Sequence, residues 1–566
     1  MGTERTSGGV GRVLVTLRSG MASKATGWLL CGAVIIGGAL ASCSDDETEP
    51  GPGVTGGAGG GAGSGTGGTA TGGAGGAGGG SPDADEYGTL WRPYLEWTFD
   101  NPSYDGNPFD LVATVTFTHE EGDVHETEMF YAGGDTWAVR FTGTRVGLWS
   151  WQSQSDDAEL DGQSGTIWMD PNPGVNGFVT AVGDKWVMSG TERAFVPQYV
   201  MFGPPDSFHD QPSLVASEID RLMTQHGFTG MHVPVMCRWA ELDQERCDQV
   251  ADRDPDLRTF EALELLITEV HAAGGAVHLW AWGDQSRVQT PTDWNGGLNG
   301  PEDQRIQRYI AARLGPLPGW TMGYGFDLDE WVVEQDLTTW HDFMHDHFGW
   351  PHLLGGRSVG PNTGLDHTDM QISEALDYSG YEHHQPDYDV YVAAIEARPT
   401  KPTFSEDRFR VRTMYAKDYD EIMTRRGLYH STMAGGVANI WGHLLDTGSD
   451  GDPSIGLSNS YDNPEWIRTY ATFFAERFFV DYERCNELTV GDATCLKRPD
   501  DLHFVFYAED ASSITLDLSG MPSDQPAVAV DALLDYAEID LGTLSAQSQL
   551  WAAPYDSDWV LAVGSF

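Results

Sequence analysis

Lys401-Pro402-Thr403-Phe404-Ser405-Glu406-Asp407-Arg408-Phe409 is a short apolar run, opened by a proline, that reaches a carboxylate. A second run of the same kind, GWTMGYGFDLDEW from Gly319 to Trp331, reaches Glu330. Outward from these two, apolar segments recur at 195–203 (FVPQYVMFG), 230–237 (GMHVPVMC), 276–284 (AVHLWAWGD), 320–328, 352–356 (HLLGG), 376–382 (LDYSGYE), 402–406 and 437–443 (VANIWGH). Between them lie stretches such as SLVASEIDRLMTQHG, TFEALELLITEVHAAGG and YDEIMTRRGLYHSTMAGG, whose apolar positions return every third or fourth residue. Eight such alternations, spaced by roughly 24 to 46 residues, predict a closed (β/α)8 barrel over 191–485 rather than an open doubly wound sheet. No GxGxxG follows the first strand, which argues against a dinucleotide fold. In a parallel barrel, side chains at the C-terminal ends of different strands meet in one pocket, so Glu330 and Glu406 are expected to converge.

The flanks follow another period. From 86 to 190, LVATVTFTHE, ETEMFYAG, DTWAVRFTG and RVGLWSWQSQ alternate apolar and polar positions between Gly and Asp breaks, which predicts a β-sandwich. The stretch 486–566 returns to strands (LHFVFYAED, SITLDLSG, AVAVDALLD, PYDSDWVLAVGSF) and predicts a second sandwich. Residues 43–85 are nearly all Gly, Ala, Thr and Ser in their central part and read as a flexible tether.

The first 42 residues read as an address. Arg12, Arg18 and Lys24 precede an apolar run from Trp28 to Leu40 that is too short to span a bilayer. Met21 could equally begin the signal. With 32 Lys+Arg against 85 Asp+Glu, the formal charge of −53 repels nucleic acid and anionic membrane surfaces and suits a neutral or cationic ligand. Four of the six cysteines form two local pairs, Cys237/Cys247 and Cys485/Cys495, which read as disulfides in an exported protein. Neither CxxC nor HExxH occurs, so no catalytic metal and no cofactor are expected. The run Asp446 to Asp452 could hold calcium, but its Asp/Gly composition reads first as turns.

Two facing carboxyl groups are what glycosidic bond cleavage needs, one to protonate the leaving oxygen and one to attack or activate water. The order of the two glutamates, after the fourth and the seventh strands, resembles the clan of retaining TIM-barrel glycoside hydrolases. The three-domain arrangement is similar to its cellulase/apiosidase-like group. Trp137 to Phe141 with Gly147 to Trp151 resembles the small β-domain that precedes the barrel in some of these proteins. The C-terminal stretch resembles their terminal sandwich, whose collagen-binding label implies nothing here. Leu40-Ala41-Ser42-Cys43 resembles the lipobox of bacterial lipoproteins. That resemblance implies cleavage before Cys43, lipid on its thiol, and tethering at the outer membrane or cell surface.

The clan resemblance implies that Glu330 is the acid/base and Glu406 the nucleophile of a double displacement on an oligosaccharide or polysaccharide. Asp329 stands where the clan usually has Asn, so Asp327 and Asp329 remain rivals to Glu330. Asp407 alternates away from Glu406, and the alternative for Glu406 is an ion pair with Arg408 or Arg410 at the rim. Around this pair, Tyr381, His383 and His384 end the sixth strand, with Glu382 among them. Trp441 and His443 end the eighth. Trp239, Trp280 and Trp282, with Arg238, Asp284 and Arg357, stand at other strand ends. Aromatic faces suit the C–H face of a pyranose, and polar groups fix its orientation. Trp239, Trp282, Asp284, Asp329, Tyr381, His383, Trp441 and His443 are therefore the expected substrate contacts. An inverting hydrolase using Asp327 or Asp284, and a non-catalytic carbohydrate-binding protein on a degenerate barrel, are the alternatives.

Overall fold

The computed structural model describes residues 83–91, 94–357, 374–383, 387–409, 420–442 and 463–566, with the backbone alone for Asp329 and 407–409. The signal, Cys43, the tether up to residue 82, His384, Arg410, His443 and the Asp446–Asp452 run lie outside the described residues. No helix among the described residues is long and apolar enough to cross a membrane.

Eight parallel strands form the central sheet: β1 (Gln198–Met201), β2 (Gly230–Pro234), β3 (Ala276–Trp280), β4 (Trp320–Gly323), β5 (Leu354–Gly355), β6 (Ser379–Tyr381), β7 (Thr403–Phe409) and β8 (Ala438–Trp441). Their order, β5-β4-β3-β2-β1-β8-β7-β6, wraps into a nearly closed (β/α)8 barrel. Helices α1 (Pro212–Ile219), α2 (Leu257–Ala272), α3 (Pro301–Leu314), α4 (Glu334–Phe348), α5 (Tyr388–Ala397), α6 (Glu421–Met433) and α7 (Pro464–Phe474) pack outside. The strands read as apolar runs because both of their faces are covered. Alternation then divides each strand. Tyr199, Trp280, Phe404 and Ile440 fill the barrel interior, whereas Val200, Leu279, Met322 and Trp441 face the helices.

The remaining seam lies between β5 and β6, which share no ladder among the described residues. Asp377 bridges it. Its amide donates to the Leu354 carbonyl at 2.8 Å, and its carboxylate accepts from the Leu354 amide at 2.9 Å.

A three-stranded antiparallel sheet (Val179–Val182, Lys185–Met188, Arg193–Phe195) closes the N-terminal end of the barrel. Trp186 packs against Tyr378 and Phe404 at ring distances of 5.3 and 6.0 Å and donates its indole N–H to the Thr403 carbonyl. The boundary expected between 190 and 191 falls inside this sheet, which packs as the barrel's floor.

Ahead of it lies a sandwich. One sheet joins Glu86–Thr89, Ser164–Asp170, Gly147–Ser155, Ala113–His119 and Val124–Glu128; the other joins Leu95–Asp100, Thr136–Phe141 and Phe130–Gly133. The run ETEMFYAG, expected as one strand, changes sheets at the buried Met129. Val115, Phe117, Phe141 and Trp149 form the core, and Trp350 of the barrel joins them, donating to the Thr142 carbonyl at 2.9 Å. The C-terminal domain is a six-stranded antiparallel sheet folded over its own core. Its long strands Phe504–Asp517 and Ser548–Val563 shift register between Ala508 and Ser513. Both expected disulfides, Cys237–Cys247 and Cys485–Cys495, are formed.

The sandwich is also pinned to the barrel by charge. Arg140 reaches Glu96 and Glu264, each at 2.7 Å, and Arg313 joins Glu264 from α3. Burial would push the Glu264 carboxyl up, but Arg140 and Arg313 outweigh it and hold the group below its ordinary value. A carboxylate depressed in this way contributes stability above its unfolded value of about 4.3, and loses it as pH falls through the folded value. Glu264→Gln is therefore expected to cost about 3 kcal/mol at neutral pH, since it leaves the buried Arg313 without a carboxylate and Arg140 with Glu96 alone. That penalty should shrink when urea unfolding is repeated well below pH 4.3. An equal penalty at both pH values would contradict this assignment.

Candidate active site

Strand alternation in β7 sends Phe404 and Glu406 to the interior and Ser405 to the helix layer. Glu406 follows the last regular ladder position, where a bulge between Ser405 and Arg408 shifts the register with β8. Its side chain has no solvent exposure. Gly323, which ends β4, and Gly380, in β6, make room for it. A Cβ on Gly323 would stand 2.5 Å from Glu406 Oε1, and one on Gly380 would stand 2.9 Å from Oε2. The carboxylate thus lies at the C-terminal ends of the strands, between β4 and β6.

Three residues that sequence reasoning passed over hold it there. The Tyr378 hydroxyl donates to Glu406 Oε1 at 2.7 Å, and His278 Nε2 lies 3.3 Å from the same oxygen. His278 Nε2 also meets the Tyr378 oxygen at 3.0 Å, and His278 Nδ1 meets His232 Nδ1 at 2.9 Å. All four residues are fully buried. Burial, and then the charge of Glu406, hold the Tyr378 phenol well above its usual range, so it remains a donor. Burial pulls the His278 imidazole below its ordinary value, and Glu406 only partly offsets that, so the ring is neutral near pH 7. A neutral imidazole has one N–H. With Tyr378 donating to Glu406, the whole chain is oriented: His232 Nδ1–H to His278 Nδ1, His278 Nε2–H toward Tyr378 and Glu406, Tyr378 O–H to Glu406. The other carboxylate oxygen, Oε2, is buried with no hydrogen-bond partner among the described residues.

A second group of charges occupies the same mouth. Arg357, following β5, pairs with Asp327 at 3.2 Å and with Glu382 at 2.7 Å, so it ties the loops after β4, β5 and β6 together. Its guanidinium lies over the rings of Trp280 (5.7 Å) and Phe326 (5.9 Å). Trp280 in turn shares the space over Gly323 with Glu406. The two charge groups are therefore neighbours across one indole. Glu330 closes a single 3-10 turn, Leu328–Glu330, beyond β4 and is exposed. His383 is partly buried just past β6.

Other expected contacts are placed differently. Trp239 is fully buried against Phe260, with its N–H on the Ala281 carbonyl. Trp282 packs edge-on to Trp294 in the helix-layer core. Trp441 alternates outward from β8, behind Ile440, and donates to Gln198 at 2.7 Å. All three indoles are buried among the described residues and pack in the same core cluster. Tyr381 also points outward, into a cluster with Tyr391 and Ala394 on α5. Asp284 caps a 3-10 turn, accepting from the Ser286 amide and hydroxyl, and pairs with Arg287. Arg238 is paired with Asp206 at 2.5 Å. The side chains of Asp329, Asp407 and Arg408 lie outside the described residues.

Residues 90–156 match the model of a domain of unknown function (DUF5060). No curated protein matches the sequence. Among solved structures, the chain is similar to a provisionally named glycoside hydrolase from Bacteroides vulgatus ATCC 8482, at 14% identity and TM-score 0.64 over 85% of this chain and 100% of that one. It is also similar to a glycoside hydrolase family 5 protein of the same organism (12% identity, TM-score 0.51, 69% of this chain and 94% of that one). A further structure described as a glycoside hydrolase gives 12% identity and TM-score 0.51, over 69% and 97%. At these identities the likeness establishes the barrel and its flanking sheet domains.

The buried relay makes one direct prediction. An NMR titration of His278 should show no protonation step at the ordinary histidine value of about 6.5, but one below it. A midpoint at or above that value would mean that the Glu406 charge outweighs burial, and the proton orientation given above would be wrong.

Proposed function

We propose that the protein is a glycoside hydrolase that cleaves O-glycosidic bonds of an oligosaccharide or polysaccharide by retaining double displacement. One observation carries this reading. A carboxylate at the C-terminal ends of the barrel strands has one oxygen fixed by Tyr378 and His278, while the other has no hydrogen-bond partner among the described residues. A buried carboxylate oxygen left without a hydrogen bond costs at least about 1–3 kcal/mol, so its persistence points to a use. Attack by Glu406 Oε2 on an anomeric carbon is that use. The barrel relatives named as glycoside hydrolases support the class of reaction.

In the first step Glu406 forms a bond to the anomeric carbon as the exocyclic C–O bond breaks, and an acid gives its proton to the departing oxygen. In the second, the same group as base takes a proton from water, which displaces Glu406. We assign that role to Glu330, which is exposed beside the mouth, rather than to Asp327, whose carboxylate is already engaged by Arg357. Retention requires the two carboxyls to come within about 5–5.5 Å in the substrate complex. Tyr378 and His278 orient the nucleophile, and Arg357 with Trp280 forms the wall beside it. The proposal keeps the enzyme exported and tethered through a lipid on Cys43.

The complete burial of Glu406 favours a second reading, a carbohydrate-binding surface protein on a degenerate barrel. A panel of polysaccharides assayed for new reducing ends separates the two. The wild type should release sugar, and Glu406→Gln should lose on the order of 10⁴-fold or more in turnover, as removal of a nucleophile does. Glu330→Ala should keep substantial activity on aryl glycosides with good leaving groups, which need little protonation. Binding without release from any sugar supports the second reading. Equal collapse of both variants on activated aryl glycosides would contradict the division of labour.

A further inference from the structure

His341 and His345 stand one turn apart on α4 and face Asp377, the residue that bridges the barrel's seam. His341 Nε2 lies 3.3 Å from one Asp377 oxygen and His345 Nε2 lies 2.8 Å from the other. The three ligand atoms fall within 4.8 Å of one another. A tetrahedral ion with bonds of about 2.0–2.1 Å to imidazole and carboxylate needs ligand atoms roughly 3.4 Å apart, so only small side-chain rotations separate this cluster from a bound state. The side chains are 14, 33 and 24% exposed, which leaves an ion a route from solvent.

A further contact fits the same purpose. His341 Nδ1 lies 3.2 Å from the Asp342 carboxylate. A carboxylate on the far ring nitrogen fixes the tautomer whose Nε2 lone pair can bind a metal, an arrangement typical of metal-bound histidines. The spacing His341-Asp342-Phe343-Met344-His345 is legible in the sequence, but as a plain His-x3-His pair it lacks the Glu of the HExxH pattern. Its third ligand, Asp377, comes from another strand unit.

We propose that His341, His345 and Asp377 form a site for one divalent transition-metal ion of the zinc class, with solvent as the fourth ligand. The ion clamps α4 to the start of β6 across the barrel's open seam. It sits toward the N-terminal end of the strands, where TIM barrels place stability rather than catalysis. Because Tyr378 follows Asp377 directly, the clamp also fixes the residue that holds Glu406. The site stands whether or not the protein cleaves sugars.

The test uses the full chain, stripped with chelator and titrated with Zn²⁺ by calorimetry and thermal unfolding. One tight 1:1 site that raises Tm is expected, because an ion that binds only the folded state stabilises it. His345→Gln and His341→Gln, each folded by circular dichroism, should weaken that site by more than about 100-fold, and Asp342→Asn by roughly 10-fold. Cobalt substitution provides a readout independent of stability: the visible absorption of a four-coordinate Co²⁺ should appear in the wild type and vanish in His345→Gln. No tight Zn²⁺ site in the wild type, or one that survives in both histidine variants, would overturn the proposal.

Discussion

Glu406 places a carboxylate inside a barrel whose interior is mostly aromatic and aliphatic, and three polar groups there, His232, His278 and Tyr378, are arranged around it. An isolated ion in such a place would cost several kcal/mol. Tyr378 and His278 offset the cost at one oxygen, and His232 orients His278 behind them. Gly323 and Gly380 clear the volume the carboxylate occupies, since a methyl group at either position would stand within 3 Å of it. Below it, Trp186 of the floor packs against the ring of Tyr378. The charge is therefore held by parts of β2, β3, β4, β6, β7 and the floor together, which only a wrapped sheet can bring to one point.

The flanking domains act on this core through a few buried contacts. Trp350 and the Arg140–Glu264–Arg313 cluster join the sandwich to α2, α3 and the end of α4, on the side opposite the mouth. The C-terminal sheet is fixed to α6 by Asp558, which Arg425 and Arg426 both engage.

The strands were legible because each is an apolar run covered on both faces, and the helices because their period changes to three and four. The position of Glu406 at the end of β7 was legible for the same reason, since it follows an apolar strand run. The tryptophans misled because a strand end alone does not say which face a side chain takes. In β8 the alternation Ala438, Asn439, Ile440, Trp441 settles it, and the indole goes outward. The relay stayed hidden because His232, His278 and Tyr378 lie in three separate strand units, and each looks like one polar residue inside a core strand. Its signal was register. His232 and His278 are directly paired across β2 and β3, both at inward positions, and a polar pair inside a barrel calls for a partner. The zinc-class cluster escaped for a related reason, since two of its ligands are on a helix and the third is on the strand unit beyond.

The central claim is that Glu406 becomes covalently bound to sugar. Incubation with activated 2-deoxy-2-fluoroglycosides, which form the glycosyl-enzyme but release it slowly, followed by peptide mass spectrometry, tests this directly. The account predicts one fluoroglycosyl group on the peptide spanning Lys401–Phe409, with fragment ions placing it on Glu406. A label on Asp327 or Glu382 instead, or hydrolysis that yields the inverted anomer with no adduct, would contradict it.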